Sequence, residues 1–281
     1  MGEVMTRKKH YHGPIGIFDS GVGGLSVLRE VRRQFPAEDL IYMADQAHVP
    51  YGIKTREDVL GFSEGIVRFM LKRKTKLIII ACNTASAVAL STLRKTYPDL
   101  PFVGMEPAVK PAVEETSSGV VGVLATPATF QGDLYASTVE RFAGDIKILQ
   151  DTCPGLVRQI EEGKINDPET SAILEKALVP MLENNVDEIV MGCTHYPFVI
   201  PLIRELVGDQ AQVIDPAPAV ARQAGRLLTE WDLQASGKGE GELQFFTTGN
   251  PVGLSSMLAS LIDLDSQTKG LKWIGGELQE V

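Results

Sequence analysis

Apolar and polar positions alternate along the chain in a way that repeats one unit. Ile15-Gly16-Ile17-Phe18 reads as a short buried strand, followed by a tight turn through Asp19-Ser20-Gly21-Val22-Gly23-Gly24. Leu25, Leu28, Val31 and Phe35 then recur at helical spacing up to Pro36. Leu40-Ile41-Tyr42-Met43 is the next strand, running into Ala44-Asp45. A helix over about 57–74 presents Val59, Phe62, Ile66 and Phe69 on one face and ends on Lys72, Arg73 and Lys74, the charge its C-terminal dipole prefers. The strand Leu77–Ile80 leads to Ala81-Cys82, a helix over about 86–96 follows, and Phe102-Val103-Gly104 makes a fourth strand. Strands alternating with helices predict a parallel sheet.

The second stretch of chain repeats this order of parts. Val121–Thr126 matches Ile15–Ser20, Asp145–Asp151 matches Asp39–Asp45, Glu188–Cys193 matches Leu77–Cys82, and Val213–Ala217 matches Gly104–Ala108. The fold expected is therefore α/β: two similar domains with mostly parallel sheets, related by a pseudo-twofold axis, with an active site in the cleft between them. The first domain takes residues 14–102 plus 215–281 and the second takes 103–214, with hinges near 98–106 and 208–216. The tail beyond residue 219 fits neither copy. It carries a helix ending near Trp231, a polar glycine-rich loop at 237–241, and strands at 243–246 and 271–274 that should pack back on the first domain. Residues 1–13 read as a flexible N-terminal tail.

Composition narrows the function. The 281 residues are 44% hydrophobic, ample for a core. A net charge of −9 argues against nucleic-acid or anionic-membrane surfaces. No stretch approaches the roughly 18 apolar residues of a membrane span, and the polar N-terminus is no secretory signal. Three cysteines cannot all pair, so the expectation is a cytoplasmic protein with free thiols.

Cys82 and Cys193 each stand where a strand ends, the side of a parallel sheet on which ligands bind. One thiol on each side of a substrate carbon can remove a proton from one face and return it from the other, which inverts the centre. A free thiol has a pKa of about 8.5, so each needs help to form the thiolate, such as a helix N-terminus. Asp19 for Cys82 and His195 for Cys193 are the natural proton-handling partners, so the two half-reactions should differ in pH dependence. The Gly21–Gly24 turn lacks the dinucleotide-binding spacing, and its amides with the Ser20 hydroxyl suit a small carboxylate at a helix N-terminus. A zinc site from Cys82, Cys153, Cys193 and His195 is disfavoured, because no spacing resembles a C-x-x-C pair; Cys153 reads as structural. A cysteine hydrolase using Cys193 and His195 would leave Cys82 unexplained.

Phe18-Asp19-Ser20-Gly21-Val22-Gly23-Gly24-Leu25, Pro50-Tyr51-Gly52, Ala81-Cys82-Asn83-Thr84-Ala85-Ser86 and Gly192-Cys193-Thr194-His195-Tyr196-Pro197 resemble the motifs of bacterial glutamate racemases, in the aspartate/glutamate racemase superfamily. The resemblance implies a cofactor-independent, metal-free isomerase that interconverts L- and D-glutamate for peptidoglycan and cell-wall synthesis. Cys82 would take the α-proton from D-glutamate and Cys193 from L-glutamate, assisted by Asp19 and His195. Asp19, Ser20, Tyr51, Gly52, Asn83, Thr84, Thr194 and His195 would contact substrate, with Thr126 and Thr129 adding contacts from the second domain. Expected partners are glutamate and a second copy of the chain in a homodimer, with no nucleic acid and no membrane. Ala44-Asp45-Gln46-Ala47-His48 departs from the usual Gly-Asp-Thr-Ala-Arg. The competing readings are aspartate racemase, another cysteine-dependent isomerase or decarboxylase of the superfamily, and a non-catalytic binding protein on the same fold.

Overall fold

The computed structural model describes residues 13–237 and 239–281, so the tail expected over residues 1–13 lies, Gly13 excepted, outside the described residues. The strands are β1 (Ile15–Asp19), β2 (Leu40–Ala44), β3 (Leu77–Ile80), β4 (Phe102–Gly104), β5 (Val120–Ala125), β6 (Lys147–Asp151), β7 (Glu188–Gly192), β8 (Gln212–Ile214), β9 (Leu243–Thr247), β10 (Thr268–Ile274) and β11 (Glu277–Glu280). They form one sheet in the order β11-β10-β9-β2-β1-β3-β4 and a second in the order β6-β5-β7-β8. Every pairing is parallel except β10 with β11.

The repeat is written in the strand order: β2-β1-β3-β4 of the first sheet has the same arrangement as β6-β5-β7-β8 of the second. Ile17 pairs with Ile79 as Val123 pairs with Val190, so the correspondence of the cysteine strands holds residue for residue. On the other side the sequence match slides by two. Phe18 faces Met43, whereas Leu124 faces Asp151, which puts Cys153, and not Asp151, at the position equivalent to Asp45. A slide of two keeps each side chain on its own face of the sheet, so the hydrophobic pattern alone does not detect it.

Burial follows the alternation. Ile15, Ile17, Tyr42, Leu77 and Ile79 lie in one core with the helices Leu25–Gln34, Ala217–Glu230 and Pro251–Ile262, while Phe18, Ile41, Met43, Ile78 and Ile80 lie in another with the helices Arg56–Lys72 and Asn83–Thr96. The first of these cores runs on without a break into the second sheet, through Leu124, Ile189, Met191 and Tyr196. The strands are apolar on both faces because helices cover both.

Three boundaries differ from the sequence reading. The helix after β3 starts at Asn83, immediately after Cys82, and not near Ser86. The division expected between residues 102 and 103 falls inside β4, all of which pairs with β3. The C-terminal segment adds a helix, Pro251–Ile262, and a last strand, β11, that were not anticipated. Both had local signals. Asn250 caps the helix by accepting from the Val252 N–H at 3.1 Å, with Pro251 following. Gly275 and Gly276, at φ 59° and 78°, supply the two left-handed residues of a tight hairpin.

Each half opens with a strand that carries a glycine roofed by a methionine, Gly16 in β1 and Gly122 in β5. A Cβ on Gly16 would come 2.6 Å from Met70 Sδ and 2.8 Å from Thr75 Cγ2; one on Gly122 would come 2.8 Å from Met181 Sδ and 3.2 Å from Val186 Cγ1. Gly16→Ala is expected to cost about 1–3 kcal/mol through overpacking, and Gly122→Ala less, since the one contact under 3 Å there is to a flexible methionine and Val186 need give only slightly. Urea unfolding of the two variants checks the order.

Candidate active site

Cys82 is built into a helix start. The residue is the N-cap of Asn83–Thr96, its Sγ accepting the Ala85 N–H at 3.5 Å, and its thiol donates to Ser20 Oγ at 3.9 Å. Burial pushes the Cys82 thiol well above its ordinary range, and the nearby Asp19 carboxylate pushes in the same direction; the Ala85 amide opposes them. Cys193 follows β7 and meets a different partner, His195 Nδ1 at 3.7 Å. Both cysteines are 5% exposed.

His195 is held by a residue that no sequence motif indicated. Glu161, at the end of the helix Leu156–Glu161, places Oε1 2.5 Å from His195 Nε2. The same oxygen accepts the Val22 N–H at 2.7 Å, and Oε2 accepts Gln46 Nε2 at 3.1 Å. Burial works to neutralise His195, but its bonds to Cys193 and Glu161 outweigh this and hold the imidazole well above its ordinary pKa. Burial likewise opposes ionisation of Glu161, and the His195 bond and charge win, so its carboxyl lies below the usual range. Glu161 sits in Ile160-Glu161-Glu162-Gly163, which reads as ordinary helix-end polarity, so only the fold brings it to the imidazole.

The glycine turn differs from its expected role. Its amides are taken by the protein's own carboxylates: Asp19 Oδ2 accepts from Gly21 and Gly24 at 3.1 and 3.2 Å, and Glu161 accepts from Val22. Asp19 also accepts Thr194 Oγ1 across the two halves at 3.3 Å. Burial raises the Asp19 carboxyl, against the pull of His195 and the two amides. A Cβ on Gly23 would stand 2.5 Å from His195 Nδ1, so the turn must be glycine to lie against the imidazole.

The two thiols line one narrow cleft, together with Ser20, Pro50, Tyr51, Gly52, Asn83, Thr84, Thr126, Val157, Thr194 and His195. Asp19 and Thr129 stand just behind that lining, Asp19 through Thr194 and Thr129 through Thr126, whose hydroxyl is 3.0 Å away. Thr84 Oγ1 meets Thr126 Oγ1 at 3.2 Å and so joins the halves at the rim. Asn83 is buried with both side-chain polar atoms unpartnered by protein. Its donor and acceptor are thus both free of partners among the described residues. The lining also carries the hydroxyl residues Ser20, Thr84, Thr126 and Thr194 and the imidazole of His195, polar groups that suit a small ligand bearing carboxylates. Cys153, held by its N–H to Asp151 Oδ1 at 2.7 Å, lies outside this lining.

Glu161→Gln is expected to cost about 2–3 kcal/mol, because it leaves His195 buried beside a neutral group. Glu161 is depressed, so its contribution is full above its ordinary value of 4.5 and fades as pH falls through its lower folded value. His195 is raised, so its contribution is full below 6.5 and is lost as pH rises through its higher folded value. The stability gap between wild type and variant is therefore widest between about pH 4.5 and 6.5 and narrows on both sides, as denaturant titrations across pH would record.

Residues 15–224 match the family model described as Asp/Glu/Hydantoin racemase. Glutamate racemase from Roseiflexus sp. is 46% identical over 249 residues, covering 88% of this chain and 92% of the relative; that of Pseudomonas aeruginosa PAO1 is 48% identical over 247 residues, covering 88% and 93%. Among solved structures, a glutamate racemase isoform from Bacillus anthracis superposes with a TM-score of 0.83 at 28% identity, over 93% of this chain and 98% of that one. The Escherichia coli glutamate racemase, solved with L-glutamate and an activator, gives 0.79 at 30% identity, over 91% and 97%. By the family model, by sequence identity and by superposition, this chain belongs to the Asp/Glu/hydantoin racemase family, on its glutamate racemase branch.

Proposed function

We propose that the chain interconverts L- and D-glutamate by two-base proton transfer without a cofactor. The observation that carries this reading is the cleft itself: one buried thiol from each half of a duplicated fold, each with its own hydrogen-bonding partner. Starting from L-glutamate, the Cys193 sulfur takes the α-proton as a thiolate and the Cys82 thiol gives its proton to the opposite face. This leaves Cys193 as the thiol and Cys82 as the thiolate, ready for the reverse direction. Burial favours the thiol at Cys82, which sets that side to act first as the acid. Removing water strengthens every polar contact to the carbanion-like transition state, and Ser20, Tyr51, Asn83, Thr84, Thr194, His195 and both thiols are buried, while Pro50, Gly52, Thr126 and Val157 are partly exposed.

Roles follow from position. Asn83, Ser20, Thr84 and Thr194 offer donors to the two carboxylates of glutamate, and the Tyr51–Gly52 backbone closes the rim against Thr126. Asp19 and His195 act as the proton-handling partners, His195 under the control of Glu161. The product, D-glutamate, serves peptidoglycan synthesis. The same reading takes the chain as a homodimer.

Circular dichroism should decay to zero from either glutamate enantiomer with no pyridoxal phosphate present, and the α-proton should exchange in deuterated water; absence of exchange removes the proposal. Cys82→Ser and Cys193→Ser should each lose at least about a thousandfold in racemisation, the scale on which a general acid or base contributes. Near-normal turnover in both directions for either variant would mean that one thiol suffices. Sedimentation of the pure protein at dimer mass is the expected result for assembly, and a monomer mass would count against it.

A further inference from the structure

Asp45, the residue that follows β2, is fully buried and lies outside the lining of the cleft, yet four donors converge on it. Oδ2 accepts the Tyr51 hydroxyl at 2.7 Å and faces His48 Nδ1 at 2.8 Å. Oδ1 accepts Trp273 Nε1 and Thr248 Oγ1, each at 2.8 Å. Two of these donors belong to the C-terminal segment, beyond the residues matched by the family model. The aromatic donors are themselves packed: His48 stacks on Phe62 with ring centres 3.8 Å apart and planes 11° apart, and Trp273 lies tilted against both. The helix Arg56–Lys72 makes room for the indole at Gly65, where a Cβ would come 2.4 Å from the Trp273 ring.

A carboxylate has about four lone-pair sites, and here all four are filled. Tyr51 in turn has Asp45 as the partner of its hydroxyl, and its ring is buried to 1% exposure, so Asp45 fixes the ring. The backbone of Pro50, Tyr51 and Gly52 forms one wall of the cleft, with Gly52 lying against Thr126 of the other half. We propose that His48 and Trp273 are positioning residues for substrate binding: by completing the shell of Asp45 they fix Tyr51 and hold the 50–52 loop where it meets the substrate. The C-terminal strand β10 is on this account part of the binding apparatus, although it does not reach the cleft. The proposal rests on the reading of Tyr51 and Gly52 as substrate-contacting residues.

The test compares kinetics of Trp273→Phe, His48→Ala, His48→Asn and Tyr51→Phe in the full-length enzyme, in both directions, with thermal unfolding of each variant. Trp273→Phe keeps the ring and loses the donor; His48→Asn keeps a donor near the place of Nδ1 and loses the stacking. KM should rise about tenfold in Trp273→Phe, His48→Ala and Tyr51→Phe while kcat stays within about twofold, the scale expected for losing one hydrogen bond to a charged acceptor. His48→Asn should recover most of the KM lost in His48→Ala. KM unchanged in Trp273→Phe and His48→Ala, with only the melting temperature lowered, would make both residues merely structural and overturn the proposal; so would a fall in kcat at constant KM. Cys82→Ser and Cys193→Ser, run in the same series, test the two-thiol reading separately, so that each idea can fail without the other.

Discussion

A carboxylate does not stay buried at the junction of two halves without partners, and Glu161 finds its partners on both sides. It reaches from the second half, accepts the Val22 N–H and Gln46 from the first, and binds His195 beside Cys193. Asp19 does the reverse, accepting Thr194 from the second half while its own loop supplies two amides. The desolvation cost of these charges is offset only when the two sheets stand in one relative position. The cleft is thus defined by groups that mostly do not line it. The continuous apolar core from Ile17 to Ile189 supplies the burial, and the carboxylates supply the register between the halves.

Duplication gave the two thiols equivalent places and unequal surroundings. Cys82 stands at the start of a regular helix and takes an amide from it; Cys193 precedes a short 3-10 turn, Tyr196–Val199, and takes an imidazole. A helix start and a glutamate-held histidine are two different surroundings for a thiol. The same divergence appears one strand away. The position of Asp45 in the first half is that of Cys153 in the second. Asp45 gathers four donors, two of them from the C-terminal segment, whereas the buried thiol at 153 makes no such demand. Among the described residues, the four-stranded sheet carries no counterpart of β9 and β10 beside β6.

Much of this was determined by the sequence alone. Strands buried on both faces must be apolar throughout, and helices must show their 3.6-residue period, so the alternating elements, the duplicated order and the thiols at strand ends were legible as local patterns. Four short motifs carried the family resemblance and with it the residues of the cleft lining except Thr126 and Val157. The hairpin at Gly275-Gly276 and the cap at Asn250 were also local and could have been read. Tertiary structure alone decided what depends on distance between remote residues: the two-residue slide of β6, the capture of the glycine-turn amides by Asp19 and Glu161, the link from Glu161 to His195, and the convergence of Tyr51, His48, Thr248 and Trp273 on Asp45. A hydrogen bond between residues 34 or 228 positions apart leaves no periodicity in the chain. It exists only because the sheets bring the carboxyl ends of their strands together.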